Sequence, residues 1–220
     1  MESLADWAER TLGHRPGDAA LFERALTHAS RGEAHYERLE FLGDRVLGLI
    51  IAEWLYELFP EEPEGKLSRR LNALVARETC AEVARELGIA GQMRLGKQAR
   101  DDGAADSDNV LGDVIEALLG AVYLEAGLEP AAAFVRRAWG ERVKTQEKAP
   151  THPKSALQEW AAANDRRPPV YSLTSRSGPQ HAPRFRVEVD VAGAGSASAE
   201  GLSKQEAETE AARALLEKLK

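Results

Sequence analysis

The spacing of apolar residues changes character near residue 150. Before that point apolar side chains recur three and four positions apart, the period of an amphipathic helix. This spacing covers Leu4–Leu12, Ala20–Thr27, Arg38–Phe59, Leu67–Leu87, Val110–Leu124 and Glu129–Lys144. The polar, Gly- and Asp-rich stretch Arg94–Asp108 is predicted to be a loop. The pattern therefore predicts an all-α N-terminal domain.

After residue 150 the pattern becomes mixed. A helical segment is followed by two stretches in which apolar and polar residues alternate, as in half-buried strands. A segment of small residues predicts a third strand more weakly, and the capping box Ser203–Glu206 predicts the start of a last helix. The segments are Lys154–Asn164, Val170–Ser177, Arg184–Val191, Gly195–Glu200 and Ala207–Leu219. The order helix, three strands, helix predicts a small α+β domain.

A polar stretch with two prolines, Thr145–Pro153, separates the two patterns and is typical of a linker. We predict a first domain at 1–146, a linker at 147–152 and a second domain at 153–220.

The net charge of −7 is unevenly distributed. Residues 151–220 hold 10 Lys and Arg against 9 Asp and Glu, whereas the first 150 hold 19 against 27. The N-terminal part thus carries a net −8, which is unfavourable for nucleic acid unless a divalent cation neutralises the carboxylates.

Compartment and membrane association can be judged from three features. The N-terminus is acidic and lacks the apolar core of a signal peptide. Fully apolar runs such as Val46–Ala52 are too short to span a bilayer. The single cysteine, Cys80, excludes an intrachain disulfide and fits a reducing compartment. We expect a cytoplasmic protein with no membrane partner.

Two predicted helices carry spaced carboxylates in apolar surroundings. Glu40 and Asp44 lie four residues apart, and Asp113 and Glu116 lie three apart, so each pair shares a helix face. No Lys or Arg lies between Asn109 and Leu124 to pair with the second set. An ionised carboxylate in such surroundings is unfavourable unless it is paired or binds a metal.

If the two helices meet, the four carboxylates repel one another, and a hard divalent cation such as Mg²⁺, Mn²⁺ or Ca²⁺ relieves the repulsion. Two such ions suit hydrolysis of a phosphodiester by an activated water. The alternative is that the acids are ordinary charges on helix surfaces, and the spacing alone does not exclude it.

The string ERLEFLGDRVL, residues 37–47, closely resembles the signature of the ribonuclease III family. GDVIEALLGAVYLEAG resembles the second acidic segment of that family, and LTHAS and EGKLSRRLNALV extend the likeness over most of residues 1–145. The resemblance implies the RNase III endonuclease fold and a homodimer. It also implies a Mg²⁺-dependent endoribonuclease, with Mn²⁺ as a substitute, that cuts double-stranded RNA.

The same resemblance implies 5′-phosphate and 3′-hydroxyl ends with short 3′ overhangs, and roles in rRNA processing and mRNA decay. Carried over by position, the catalytic and metal-binding residues are Glu40, Asp44, Asp113 and Glu116. Glu37 and Glu64 match accessory acidic positions, and Phe41 matches a position at the dimer interface, with a plain core aromatic as the alternative. One departure is Ala99, near which many relatives carry an acid.

The second domain resembles a double-stranded RNA-binding domain (dsRBD) in KSALQEW, GPQHAPRFRVEV and GLSKQEAETEAARALL. Such domains read the shape of A-form RNA through 2′-hydroxyls and phosphates. The matching RNA-binding residues are Gln158, Glu159, His181, Ser203 and Lys204. Ser203 is also a helix cap on any interpretation.

Two other classes of function stay open at this stage. One is a regulator that binds double-stranded RNA but has a silent catalytic domain, which the four intact carboxylates argue against. The other is an all-α, metal-dependent hydrolase of nucleotides with an interaction domain. Such sites usually contain several histidines, yet only His35 lies near either acidic segment.

Overall fold

A computed structural model describes residues 2–32, 34–146, 152–179 and 183–219. The chain divides into two compact units, Met1–Pro150 and Thr151–Lys220. The predicted linker falls almost wholly on residues 147–151, which lie outside the described ranges, so its bounds stay a prediction.

The first unit is helical in its described part. Its helices are α1 (Leu4–Leu12), α2 (Ala19–Ala25), α3 (Glu37–Leu58), α4 (Glu64–Leu74), α5 (Arg77–Glu86), α6 (Lys97–Asp101), α7 (Asp108–Ala126) and α8 (Leu128–Thr145). Short 3₁₀ turns lie at Ala29–Arg31, Ile89–Gln92 and Ala104–Asp106. The predicted all-α architecture is confirmed.

Two predictions of local structure are wrong. The stretch Arg94–Asp108 contains α6 and a 3₁₀ turn rather than only loop. The single helix expected over Leu67–Leu87 is interrupted between α4 and α5, where no glycine or proline signals a break. Tertiary contacts stabilise the interruption, because the indole N–H of Trp139 donates to the Leu74 carbonyl at 2.9 Å.

Helices α3 and α7 cross at the centre of the first unit. A Cβ built on Gly43 would lie 1.7 Å from the carbonyl oxygen of Glu116, and one on Gly120 would lie 2.4 Å from the carbonyl oxygen of Leu39. Only glycine permits this approach, since real Cβ atoms essentially never come within 3.0 Å of a neighbour. Around the crossing, side chains such as Leu47 and Leu118 are fully buried.

The second unit is a three-stranded antiparallel sheet with two helices. Its elements are α9 (Pro153–Ala163), β1 (Val170–Ser177), β2 (Arg184–Val191), β3 (Gly195–Gly201) and α10 (Lys204–Lys218), with sheet order β1-β2-β3. Residues on one face of β2 and β3 pack against both helices around Leu157, Val189 and Leu215. The predicted α-β-β-β-α order is confirmed, including the weakly predicted third strand.

No helix in the described parts of the chain is long and apolar enough to cross a membrane. The expected cytoplasmic location stays a prediction.

The close crossing of α3 and α7 yields a first prediction. Gly43→Ala should destabilise the protein by about 1–3 kcal/mol, because a methyl group there must push the two helices apart. Urea unfolding of the full-length protein measures the change. Gly48→Ala on the same helix is the control: nothing lies within 4 Å of its Cβ position, so it should gain roughly 0.5–1 kcal/mol from helix propensity. Equal stability of the two variants would contradict the tight crossing.

Candidate active site

Three of the predicted acids line one cavity in the first unit. Glu40 comes from α3, while Asp113 and Glu116 come from α7, and Val75, Arg77 and Gly112 complete the lining of about 190 Å³. The glycine crossing explains the convergence, because the backbone of Glu116 itself contacts Gly43, three residues after Glu40. We call this cavity the acidic cleft.

The acids of the acidic cleft disfavour one another's charge. The pKa of Glu116 is raised to about 7, first by burial and then by the nearby charges of Glu40 and Asp113. Burial, followed by the charge of Asp113, also raises the pKa of Glu40. The pKa of Asp113 is raised by burial as well, although the Tyr36 hydroxyl opposes the change. A site of this kind favours any cation that can replace the missing solvent.

Two buried, neutral side chains contact two of the cleft acids. The Tyr36 hydroxyl donates to Oδ2 of Asp113 at 3.1 Å, and the thiol of Cys80 lies 3.8 Å from Oε1 of Glu116. Both side chains are buried, and burial raises the pKa of each above its usual range. Sequence reasoning missed both contacts. The position of Tyr36 directly before the acidic string was a signal for the first, but nothing in the sequence placed Cys80 beside Glu116.

Asp44 is not among the residues that line the acidic cleft. It lies one helical turn after Glu40 on α3, with its side chain 36% exposed, and it pairs with the neighbouring Arg45. Three of the four predicted catalytic carboxylates therefore line one cavity, and Asp44 lies outside that lining, one turn further along α3.

The accessory acids lie on other surfaces. Glu37 is exposed, with a carboxylate oxygen 3.8 Å from Nδ1 of His35. Glu64 begins α4, where it accepts a hydrogen bond from the Ser68 hydroxyl at 2.6 Å. Neither lines the acidic cleft.

Phe41 is 64% exposed, so the alternative of a plain core aromatic is wrong. It borders an open cavity of about 570 Å³ whose apolar wall includes Leu21, Leu42 and Leu124. We call this surface the Phe41 groove.

The predicted RNA-binding residues of the second unit are partly described. Gln158 and Glu159 are exposed on α9, and Lys204 is exposed as the first residue of α10. The Ser203 hydroxyl accepts from the backbone N–H of Glu206 at 3.1 Å, as a helix cap does. Nζ of Lys204 lies 3.8 Å from Glu208. His181 lies outside the described residues.

Known proteins similar to this chain identify its family. A family model described as "Ribonuclease-III-like" matches residues 18–142, and the "Double-stranded RNA binding motif" matches residues 153–219. Ribonuclease 3 of Zymomonas mobilis is 63% identical over 98% of this chain and 88% of its own length. Ribonuclease 3 of Dinoroseobacter shibae is 49% identical over 93% of this chain and 91% of its own. The chain belongs to the ribonuclease III family.

Solved structures give the same answer for the first unit. The nuclease domain of ribonuclease III from Campylobacter jejuni is 34% identical with a TM-score of 0.61, covering 64% of this chain and 97% of that domain. A second structure of that domain, whose description concerns flexibility in a region involved in dimer formation, has a TM-score of 0.60 at 34% identity and covers 62% of this chain and 96% of that one.

Membership of the ribonuclease III family makes the protein a nuclease that depends on divalent metal. Among the described residues no three His, Cys, Asp or Glu side chains stand close enough to form a ready metal-binding group. The chemistry of the donors nevertheless fits: the acidic cleft presents carboxylate oxygens, which hard divalent cations prefer. Their raised pKa values also mark charges that a cation would stabilise.

The raised pKa of Glu116 yields a second prediction, on metal-free protein in EDTA. A glutamate whose pKa is about 7 when folded and near 4.5 when unfolded binds its proton more tightly in the folded state. The free energy of unfolding therefore falls as pH rises between these two values. Glutamine carries no charge, so Glu116→Gln should not lose stability in this way. At pH 8 its free energy of unfolding should exceed that of wild type by on the order of 2 kcal/mol, a value reduced to allow for screening by solvent.

Urea unfolding at pH 4.5 and pH 8 measures this difference. The exposed Glu53 of α3 lies outside the acidic cleft, and Glu53→Gln is expected to follow wild type at both pH values. If Glu116→Gln showed no advantage at pH 8, the carboxylate of Glu116 would not be held in the environment described.

Proposed function

We propose that Glu40, Asp113 and Glu116 form the metal-binding catalytic centre with which this ribonuclease III hydrolyses double-stranded RNA. The observation that supports the assignment is the acidic cleft, where three partly buried carboxylates from two crossing helices share one cavity. The enzyme is an endoribonuclease specific for double-stranded RNA, in keeping with its family and its RNA-binding motif.

Mg²⁺ is the cation we propose, with Mn²⁺ as a substitute, because both prefer oxygen ligands. When bound, the cation would polarise the RNA phosphate and lower the pKa of a water molecule. The chain's own part is to supply ionised carboxylates at fixed positions. Tyr36 orients Asp113 through its hydroxyl, and Cys80 contacts the oxygen of Glu116 from the buried side.

Asp44 is proposed as the fourth acidic group, which binds metal or orients the attacking water. Reaching the acidic cleft requires its carboxylate to leave Arg45, and its partial exposure leaves room for a change of rotamer. Glu37 and Glu64 are proposed to line the path of the RNA. Products with 5′-phosphate and 3′-hydroxyl ends and short 3′ overhangs, and roles in rRNA processing and mRNA decay, stay predictions from the family.

The second unit is proposed to hold the duplex. Gln158 and Glu159 on α9 present exposed polar groups suited to 2′-hydroxyls in the minor groove. Lys204 stands at the N-terminus of α10, where free N–H groups and the helix dipole add to its attraction for phosphate. His181 is proposed for the neighbouring minor groove on its sequence context alone.

The catalytic assignment yields a third prediction. Glu116→Ala should lower the rate of Mg²⁺-dependent cleavage of long duplex RNA by at least about 100-fold, because a metal ligand is lost. Duplex binding in EDTA should change little, since the second unit is untouched. Gel analysis of duplex RNA, single-stranded RNA and nucleotides, with Mg²⁺ or EDTA, measures both activity and specificity.

Glu53→Ala serves as the control, because Glu53 is an exposed acid of α3 outside the cleft. It should cut the duplex at the wild-type rate. A Glu116→Ala variant that cuts normally would remove Glu116 from the mechanism, and duplex binding without any cleavage by wild type would favour the silent regulator.

We also propose a homodimer formed through the Phe41 groove. An exposed phenylalanine beside an apolar cavity on the same surface is self-complementary, as a two-fold interface requires. A similar structure supports the proposal, since the nuclease domain of ribonuclease III from Campylobacter jejuni has a region involved in dimer formation.

The dimer proposal yields a fourth prediction. Phe41→Glu should place a charge against the apolar wall and shift the protein to monomer, a change of at least about tenfold in the dissociation constant. Analytical ultracentrifugation measures the shift. Tyr56→Glu replaces another exposed aromatic of α3 that does not line the groove, and it is the control for added charge. A Phe41→Glu variant that stays dimeric would place the interface elsewhere.

A further inference from the structure

One cation lines the acidic cleft together with the three carboxylates. Arg77 is the first residue of α5 and is exposed. Its stem is held beside α7: a Cβ built on Gly112 would lie 3.5 Å from the Arg77 carbonyl oxygen and 3.6 Å from its Cγ. Gly112 directly precedes Asp113. Burial raises the pKa of that carboxyl, and the positive charge of Arg77 opposes part of the rise. Arg77 therefore belongs to the wall of the cleft, and its charge acts on Asp113.

Several other arginines of the first unit form ion pairs. Arg45 pairs with Asp44, Arg70 with Glu62, and Arg142 with Glu82 and Glu86. Arg77 forms no ion pair within 4.0 Å with any residue that the structure describes. The side chain of Arg77 is exposed beside the cleft acids, and its positive charge is not neutralised by a direct ion pair with them.

A guanidinium at this position opposes the binding of divalent cations by the same carboxylates, because like charges repel. Its presence is useful if a negatively charged group enters the cleft with the metal. RNA supplies such a group in every phosphate, and arginine is suited to it because its planar fork can donate two parallel hydrogen bonds to phosphate oxygens.

We propose that Arg77 binds a backbone phosphate of the RNA strand that enters the acidic cleft. The inference rests on the proposed function and adds a substrate-binding residue to it. Arg77 then acts in opposite directions on the two partners of the site. It weakens metal binding by the RNA-free protein and strengthens binding of the substrate.

The test compares full-length Arg77→Gln and Arg77→Lys with wild type. Arg77→Gln should raise KM for a duplex RNA in saturating Mg²⁺ by about tenfold and change kcat by less than about threefold. The same variant, free of RNA, should bind Mn²⁺ at least about twofold more tightly when titrated by electron paramagnetic resonance. Arg77→Lys keeps the charge but not the fork, so its Mn²⁺ affinity should stay near wild type and its KM should fall between the two.

Arg10→Gln is the matched control. Arg10 is an exposed arginine of the same unit, 61% exposed, paired with Glu2 and absent from the cleft. Arg10→Gln changes the net charge by the same amount as Arg77→Gln, and it should leave KM and Mn²⁺ affinity unchanged.

An unchanged KM for Arg77→Gln would overturn the proposal. Together with tighter Mn²⁺ binding, that result would mean that Arg77 only balances the charge of the acids. A raised KM accompanied by an equal rise for Arg10→Gln would also overturn it, because the effect would then be general. Failure of the proposed function is a separate result, seen as wild-type protein that does not cut duplex RNA or as full activity of Glu116→Ala.

Discussion

The catalytic unit depends on the close crossing of α3 and α7 through Gly43 and Gly120. Each glycine faces backbone of the other helix, so the two axes approach more closely than larger residues would allow. The result is that Glu40 and Glu116, more than seventy residues apart in sequence, share one cavity. The surrounding core of large aliphatic side chains keeps the crossing rigid, because a packed interior resists displacement.

The same crossing places negative charge where solvent is limited. Burial is the first cause of the raised pKa of all three cleft acids, and their mutual repulsion adds to it for Glu40 and Glu116. The Tyr36 hydroxyl contacts Asp113 and the Cys80 thiol contacts Glu116. Arg77 lines the same cleft and brings a positive charge. The protein thus stabilises an arrangement of acids that is unfavourable by itself and is suited to a divalent cation.

The second unit uses its charges differently. Glu208 on α10 accepts from Lys154 at 2.5 Å and lies 3.8 Å from Lys204, while Arg186 pairs with Glu200 across β2 and β3. Part of its positive charge is therefore already paired within the unit, and the net charge over residues 151–220 is only +1. Recognition of RNA by shape and 2′-hydroxyls suits a surface of this kind better than strong attraction to phosphate does.

The sequence by itself determined the two-domain order, the helix and strand types, and the candidate carboxylates, because these follow from local periodicity and short motifs. Glu40, Asp113 and Glu116 were each identifiable from their spacing in apolar helices. Only the tertiary structure decided that these three meet while Asp44 turns to Arg45, and that Tyr36, Cys80 and Arg77 surround them. It also decided the break after Leu74, where a carbonyl finds Trp139. Contacts between residues distant in the chain depend on how helices cross, and no local pattern encodes that geometry.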